Sequence, residues 1–503
     1  MANLFDSLLG DVDPSSTFAV VETDGAAWTY GSIIAESGRF ANVLNDLDVQ
    51  PGDRVVAQIP KSLDSIALYL ACLRLGAIFV PLNTAYTLHE VDYFISDSAA
   101  ALFVCDPACL SRYASVMQSN KVGLETLGAE KDGTLIEKAA QVSECFASAD
   151  RQTHDIVAIV YTSGTTGRSK GAMLTHANLL SNASTLVKLW RFSDRDVLFH
   201  ALPIFHTHGL FVATNVVMLS ASSMIYVPKF TVDAAIEFLP QCTTMMGVPT
   251  YYTRLLNDRR LDAECVRNMR LFVSGSAPLL KETLVRFEQR TGHRILERYG
   301  MTETNMIASN PYDGERKAGT VGCSLPDVDV RIRDAHTGLE VSTGDVGILE
   351  VKGPNVFCGY WNNPVKTAEE FRQDGYFMTG DLACKDNEGY IEIVGRSKDV
   401  IVSGGLNVYP KEIETLLNSV EGVQESAVIG VPHPDFGEAV VGLLVVSRAI
   451  FCSDALSVEI QGKLAGYKRP KKLLMIPELP RNSMGKVLKV QLREQYHDLF
   501  TNS

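Results

Sequence analysis

The chain lacks the features that would place it in a membrane, on nucleic acid or outside the cell. Its most lipid-like segment, Ile66 to Leu82, is broken by Arg74, Gly76 and Pro81, so it reads as a helix, a turn and a buried strand. The start, Met1-Ala2-Asn3-Leu4-Phe5-Asp6, carries no basic n-region, and a cytoplasmic protein without a secretory signal is expected. A net charge of −13 argues against a nucleic-acid partner. The ten cysteines are scattered, and the nearest pair, Cys105 and Cys109, has no second pair to complete a zinc site. They read as reduced structural residues. An H-E-x-x-H zinc helix, low-complexity tracts and short repeats are also missing.

What is present is a chain of 503 residues, 46% hydrophobic and 21% charged, which predicts a folded protein of two to four domains. Up to about residue 150, helical patterns alternate with short apolar runs. Phe18 to Val21, Arg54 to Gln58, Ile78 to Pro81 and Ala101 to Cys105 are the strand candidates, and the alternation predicts an α/β fold. From about 315 to 395 short β-rich segments broken by Gly and Pro take over. After residue 395 helices and strands alternate again, as in Glu425 to Val431 and Val440 to Val446, which predicts a small α+β domain over 396–503.

The most informative stretch is Tyr161-Thr162-Ser163-Gly164-Thr165-Thr166-Gly167-Arg168-Ser169-Lys170-Gly171. It follows the apolar run Ile156 to Val160 and precedes Ala172 to Leu189, where helical periodicity predicts strand, loop and helix. Small residues let backbone N–H groups approach an anion, and hydroxyls and a lysine add donors and charge, so the loop suits a polyphosphate. It is not a Walker loop: the second glycine comes too early, and Gly171 follows Lys170 where a magnesium-binding hydroxyl is required.

Other stretches carry matching chemistry. Leu271-Phe272-Val273-Ser274-Gly275-Ser276-Ala277-Pro278 is a strand entering a Gly/Ser turn against which a purine can lie. Glu297-Arg298-Tyr299-Gly300-Met301-Thr302-Glu303 offers an aromatic plate, a hydroxyl and a carboxylate for a hard cation. Tyr376-Phe377-Met378-Thr379-Gly380-Asp381 presents a carboxylate beside a glycine. Gly395-Arg396-Ser397-Lys398-Asp399 and Pro480-Arg481-Asn482-Ser483-Met484-Gly485-Lys486 each hold a lysine in a loop. His206 and His208 have no third metal ligand nearby, so an imidazole wall of a substrate pocket is the better reading. Pro249 marks a helix start that places Tyr251 and Arg254 on one face.

These motifs, in this order over residues 15 to 495, closely resemble the adenylate-forming, AMP-binding superfamily. The resemblance implies a large domain of α/β subdomains with a small β-barrel-like subdomain (1–395) and a mobile C-terminal domain. It also implies a two-step reaction in which a carboxylate attacks the α-phosphorus of ATP, and a thiol then displaces AMP from the acyl-adenylate. Thr162, Ser163, Gly164, Thr165, Thr166, Gly167 and Lys170 would then hold the phosphates. Ser276, Ala277, Pro278, Glu297, Arg298, Tyr299, Thr302, Asp381 and Arg396 would hold the rest of ATP. Glu303 would hold Mg²⁺, Lys486 would meet the α-phosphate as the catalytic lysine, and Lys398 would be the hinge. Acylation of Lys486 would remove its charge and so could regulate the enzyme. Lys468, Arg469, Lys471 and Lys472 either steer the phosphates of coenzyme A or form a solvated basic face.

Within the superfamily the chain most resembles malonyl-CoA synthetases, which implies malonate or methylmalonate as substrate. Arg254 would face the distal carboxylate, with His206, Ser274 and Met306 as pocket walls. A medium-chain or aromatic acyl-CoA synthetase, or a nucleotide-binding regulator without turnover, are the alternatives; intact Lys486 and Glu303 speak against the regulator.

Overall fold

Strands that are apolar on both faces must be covered on both faces, and the interior strands of this chain are of that kind. In the computed structural model, which describes residues 3–162, 169–335, 337–447, 451–482 and 484–500, they form two large sheets. The first has six strands in the order Gly123–Thr126, Leu102–Cys105, Arg54–Gln58, Ile78–Pro81, Ile156–Thr162 and Lys170–Thr175; only the last pair is antiparallel. The second has nine strands. Its centre, Leu296–Met301, Leu271–Ser274, Thr244–Gly247, Val197–His200, Ser223–Tyr226 and Thr17–Val21, is parallel throughout. The expected α/β architecture is present, and the four early strands fall within a residue of their predicted ends. Segment 66–82 is the helix Leu63–Leu75, a left-handed Gly76 and the strand Ile78–Pro81. No described helix is long and apolar enough to cross a membrane.

One expectation fails locally. The loop after Thr162 does not run straight into a helix: Lys170–Thr175 is a strand, and the helix begins at His176. Ala172 and Leu174 are buried at a spacing of two, which fits a strand on a half-covered sheet. Ile156–Thr162 and Lys170–Thr175 are therefore an antiparallel pair, a hairpin whose register sets Lys170 opposite Thr162. Thr175 closes the strand and caps the helix: its hydroxyl accepts from the Asn178 amide (3.2 Å), and the Asn178 side chain accepts from the Thr175 amide (2.9 Å). Asn178 also donates to the Pro354 and Val356 carbonyls, tying the hairpin to the β-rich region.

That region is a four-stranded antiparallel sheet, Asp329–Arg333, Gly347–Lys352, Phe377–Lys385 and Ile391–Arg396. Beyond it a separate sheet is built on the long antiparallel pair Val423–His433 and Gly437–Val446, with Ile401–Ser403, Leu406–Val408 and Lys472–Met475 at its sides. Its helices Pro410–Asn418 and Ser453–Lys463 pack on a core that includes Ile413, Leu417, Leu456 and Ile460.

The first helix, Leu4–Leu9, docks through a hydrogen bond from the Leu4 amide to Nδ1 of His176 (3.0 Å). This bond requires a neutral imidazole. Burial, with repulsion from Arg151, lowers the His176 pKa to about 4. The folded state thus binds fewer protons than the unfolded chain between pH 6.5 and 4. Stability is full above 6.5 and falls as pH drops through this window, by about 3 kcal/mol from this residue. The protection factor of the Leu4 amide, the intrinsic exchange rate divided by the observed rate at each pH, is expected to fall from pH 6.5 to 4, and His176→Asn is expected to flatten that fall.

Candidate active site

In a parallel sheet the loops after the carboxyl ends of the strands gather on one edge, and ligands bind there. Four loops of the nine-stranded sheet meet at this edge: Ala201 to His208, Val248 to Thr250, Gly275 to Leu279 and Thr302 to Thr304. The last is the tip of a hairpin between Leu296–Met301 and Asn305–Ser309. The hairpin is braced from behind, where Asn355 donates to the Thr304 and Met306 carbonyls (2.7 and 3.0 Å) and Asn182 donates to Met306 (3.1 Å). Met306 is buried at this brace.

Three of the residues expected to hold ATP, Tyr299, Asp381 and Arg396, stand together. Asp381 pairs with Nε of Arg396 (2.8 Å) and accepts from the Tyr299 hydroxyl, while Arg396 also donates to the Thr379 carbonyl (3.1 Å). Burial opposes the Arg396 charge, but Asp381, Tyr299, Glu303 and Asp399 together hold its pKa above the usual value. Ser276 has a left-handed backbone (φ 70°), which turns the following Ala277-Pro278 pair away from the strand. Glu297 lies behind this turn, where one oxygen accepts from the Leu279 amide (3.0 Å), while its buried Oε2 has no partner among the described residues. Burial raises its pKa to about 7.

Arg298, expected at the nucleotide, is buried against Gly275 and close to His206 and His208. It is 3% exposed, and its guanidinium lies flat on Gly275, where a Cβ would stand 2.4 Å from Cζ. Its Nε and Nη2 have no protein partner, and burial lowers its pKa to about 9. Three neutral groups share this region. His206 is lowered to about 4 by burial and by Arg298, and its Nδ1 accepts from the His208 amide (3.2 Å). His208 is driven far below its ordinary pKa by burial and Arg298; its Nδ1 is 3.2 Å from the Ser276 hydroxyl, and its Nε2 lacks a protein partner. Ser274 is buried, and its hydroxyl also lacks a partner. His208 opens a π-helical turn, His208–Thr214, of a kind that recurs at functional sites.

Arg254, expected to face a distal carboxylate, is at the surface. Its helix, Pro249–Leu256, starts where Pro249 predicted, but Tyr252, Leu255 and Leu256 take the buried face and Arg254 is exposed. It stands beside Tyr251, which stacks on Phe230 at 3.9 Å and donates to the Ala201 carbonyl (3.2 Å).

On the phosphate side, Ser163, Gly164, Thr165, Thr166 and Gly167 lie outside the described residues; Thr162 and Lys170 bracket them. Thr302 is half-buried at the hairpin tip. Glu303 is 6% exposed, and burial raises its pKa. Sequence reasoning missed its partners. The Tyr360 hydroxyl stands 3.0 Å from Glu303 and 2.6 Å from Glu370, and Glu370 pairs with Lys170 at 3.0 Å. Tyr360 is one residue of Gly359-Tyr360-Trp361, and no spacing rule links it to residue 303. No cluster of three metal-ligating side chains exists among the described residues. One buried carboxylate fits Mg²⁺ that arrives with phosphates and water, which is the usual way this ion is held.

From the C-terminal side, Met484 is 4% exposed within the main core cluster, and Gly485 packs on Thr250, 3.3 Å from where its Cβ would be. Asn482 shapes this loop by accepting from the Met484 and Lys486 amides (3.0 and 2.9 Å). Lys486 keeps solvent access, but desolvation lowers its pKa, and its ammonium feels Arg396, Asp381, Asp399 and Lys398. Lys398 is exposed on the turn Ser397–Asp399.

Comparison with known proteins agrees with this geometry. Residues 11–361 match the AMP-binding enzyme family, and residues 412–486 match the AMP-binding enzyme C-terminal domain. A malonate–CoA ligase of Arabidopsis thaliana is 31% identical over 98% of this chain and 89% of its own. A feruloyl-CoA synthase of Amycolatopsis sp is 35% identical over 95% of each chain. MatB from Rhodopseudomonas palustris is 51% identical over 99% of both chains; its ATP-bound structure superposes with a TM-score of 0.97, its apo structure with 0.86. The chain therefore belongs to the AMP-binding enzyme family and is an AMP-forming acid–thiol ligase that uses ATP and coenzyme A.

Proposed function

We propose that the acid is malonate, with methylmalonate as a further candidate. The observation that carries this reading is Arg298: a buried guanidinium with two unpartnered nitrogens beside neutral imidazoles. A long-chain or aromatic acid would leave that charge unmet at a cost of several kcal/mol, whereas the distal carboxylate of a short diacid would meet it with charge-assisted hydrogen bonds. The similarity to malonate–CoA ligases points the same way, while the similarity to a feruloyl-CoA synthase keeps the aromatic alternative as the control.

The chemistry follows from charge. Malonate and ATP are both anionic, so the first step needs positive groups arranged before the reactants meet. Asp381 and Arg396 hold each other at the ribose position, Lys486 is delivered by the docked C-terminal loop, and Lys170 lies at the phosphate hairpin. Mg²⁺ held by Glu303 would neutralise phosphate charge. His206 and His208 are neutral near pH 7 and act as hydrogen-bonding walls, since an ionised carboxylate needs no general base. For the second step the small domain turns about Lys398, withdraws Lys486 and admits the thiol of coenzyme A.

Two measurements test this reading. Arg298→Met is expected to lower kcat/KM for malonate roughly a hundred- to a few-thousand-fold, from the ~3–5 kcal/mol of a broken buried pair. Butyrate should be affected far less. Arg254→Ala should cost less than Arg298→Met, because the Arg254 charge is already solvated. Equal losses for both acids in Arg298→Met would reject a distal-carboxylate role. The second test separates the half-reactions. Lys486→Ala and Met484→Ala should both slow adenylate formation yet still convert supplied malonyl-adenylate to the thioester. Equal slowing of both steps in folded variants would show that neither residue is confined to the adenylation arrangement.

A further inference from the structure

Lys170 does not wait at the phosphate hairpin as an uncommitted cation. Its side chain is 10% exposed, its Nζ is 3.0 Å from Glu370, and it lies 4.1 Å above the Tyr360 ring. Glu370 also draws in Lys366 at 3.3 Å and accepts from the Tyr360 hydroxyl at 2.6 Å. One carboxylate thus gathers both lysines beside the strand that leaves the hairpin. A cleft of about 180 Å³ opens there, with Lys170, Lys366, Tyr93, Asp97, Trp361 and Asn362 on its wall.

We propose that Glu370 is a positioning residue that competes with phosphates for Lys170, yielding the lysine to the triphosphate and reclaiming it as pyrophosphate departs into this cleft. An anion 3 Å from the ammonium offsets most of the field that Lys170 projects on a phosphate, so the carboxylate weakens polyphosphate binding. In the forward direction this is useful. Pyrophosphate is a product that must leave before the small domain turns, and a competing carboxylate speeds exchange at the one lysine both anions want. Tyr360 holds Glu370 in place and also touches Glu303, so the competitor is oriented by the same phenol that meets the metal carboxylate. The proposal rests on Lys170 meeting the phosphates, and not on the identity of the acid.

The test compares the full-length wild type with Glu370→Gln, Glu370→Ala and Lys170→Met, and with Glu370→Gln combined with Lys170→Met. The readouts are the inhibition constant of inorganic pyrophosphate in the forward reaction and the KM for MgATP. Glu370→Gln keeps an acceptor for Tyr360 and removes the charge, so it should tighten pyrophosphate inhibition about tenfold and lower KM for MgATP; Glu370→Ala should do the same, which covers the case where the glutamine variant fails to fold. Glu370→Asp, which restores the charge, should return the constant toward that of the wild type. In the Lys170→Met background the effect of Glu370→Gln should vanish. An unchanged or weaker pyrophosphate inhibition in a folded, uncharged variant would overturn the proposal while leaving the phosphate role of Lys170 intact. If Lys170→Met alone changes neither constant, Lys170 does not meet the phosphates, and the proposal falls with that reading; the malonate reading is tested separately through Arg298.

Discussion

A full positive charge buried with two nitrogens unpartnered is the constraint on which the acyl side of this enzyme depends. Arg298 can occupy that place only because Gly275 has no side chain, and the neighbouring imidazoles must stay uncharged to coexist with it. Isolated buried charges are strongly disfavoured, so the arrangement needs a fold that holds it rigidly, and the proposed diacid would meet the charge with an anion. The rigid part is visible. Arg298 is on a strand registered against Leu271–Ser274, and the hairpin it begins is pinned by Asn182 and Asn355.

The nucleotide side follows the opposite rule. There the charges are already paired: Asp381 with Arg396, Lys170 with Glu370. Pairing orients these groups before a ligand arrives, and on the proposed reading each incoming oxygen would exchange one partner for another. On the proposed reading, the acyl pocket would discriminate by an unmet charge, whereas the nucleotide site would exchange partners and turn over.

How much of this was legible in the sequence depended on whether a residue acts within its own motif. Strand positions, the helix start at Pro249 and the clustering of Tyr299, Glu303, Asp381 and Arg396 follow from local pattern and motif order. Three things did not. Residues 170–175 carry apolar spacing compatible with the helix that follows, and only pairing with Ile156–Thr162 makes them a strand. Arg298 and Arg254 both present a guanidinium, and sequence could not say which one the fold would bury; three apolar neighbours on a short helix turned Arg254 outward. Tyr360 and Glu370 meet Glu303 and Lys170 across separations of 57 and 200 residues, which no local spacing encodes.

The contacts of the small domain sort by strength in a way that suits the proposed rotation. Beyond the Arg396–Asp381 pair at the hinge, the domain carries ion pairs of its own. Lys489 pairs with Glu414 at 2.6 Å, Arg481 with Glu425 at 2.8 Å, and Arg493 holds Asp399 beside the Lys398 turn. These persist in any orientation of the domain. Its hold on the large domain is of a different kind: the Met484 side chain in an apolar cluster, the Gly485 backbone against Thr250, and Lys411 in the field of Glu297. Met484 is an unbranched, adaptable side chain, and its burial is non-directional, so it can leave and re-enter without breaking a geometry-dependent bond. Glu297 does double service, pinning the Ser276–Leu279 turn from behind while its charge reaches Lys411. An enzyme that must deliver one lysine and then withdraw it needs an interface of this weak, reversible kind, and it places the strong bonds where rotation leaves them untouched.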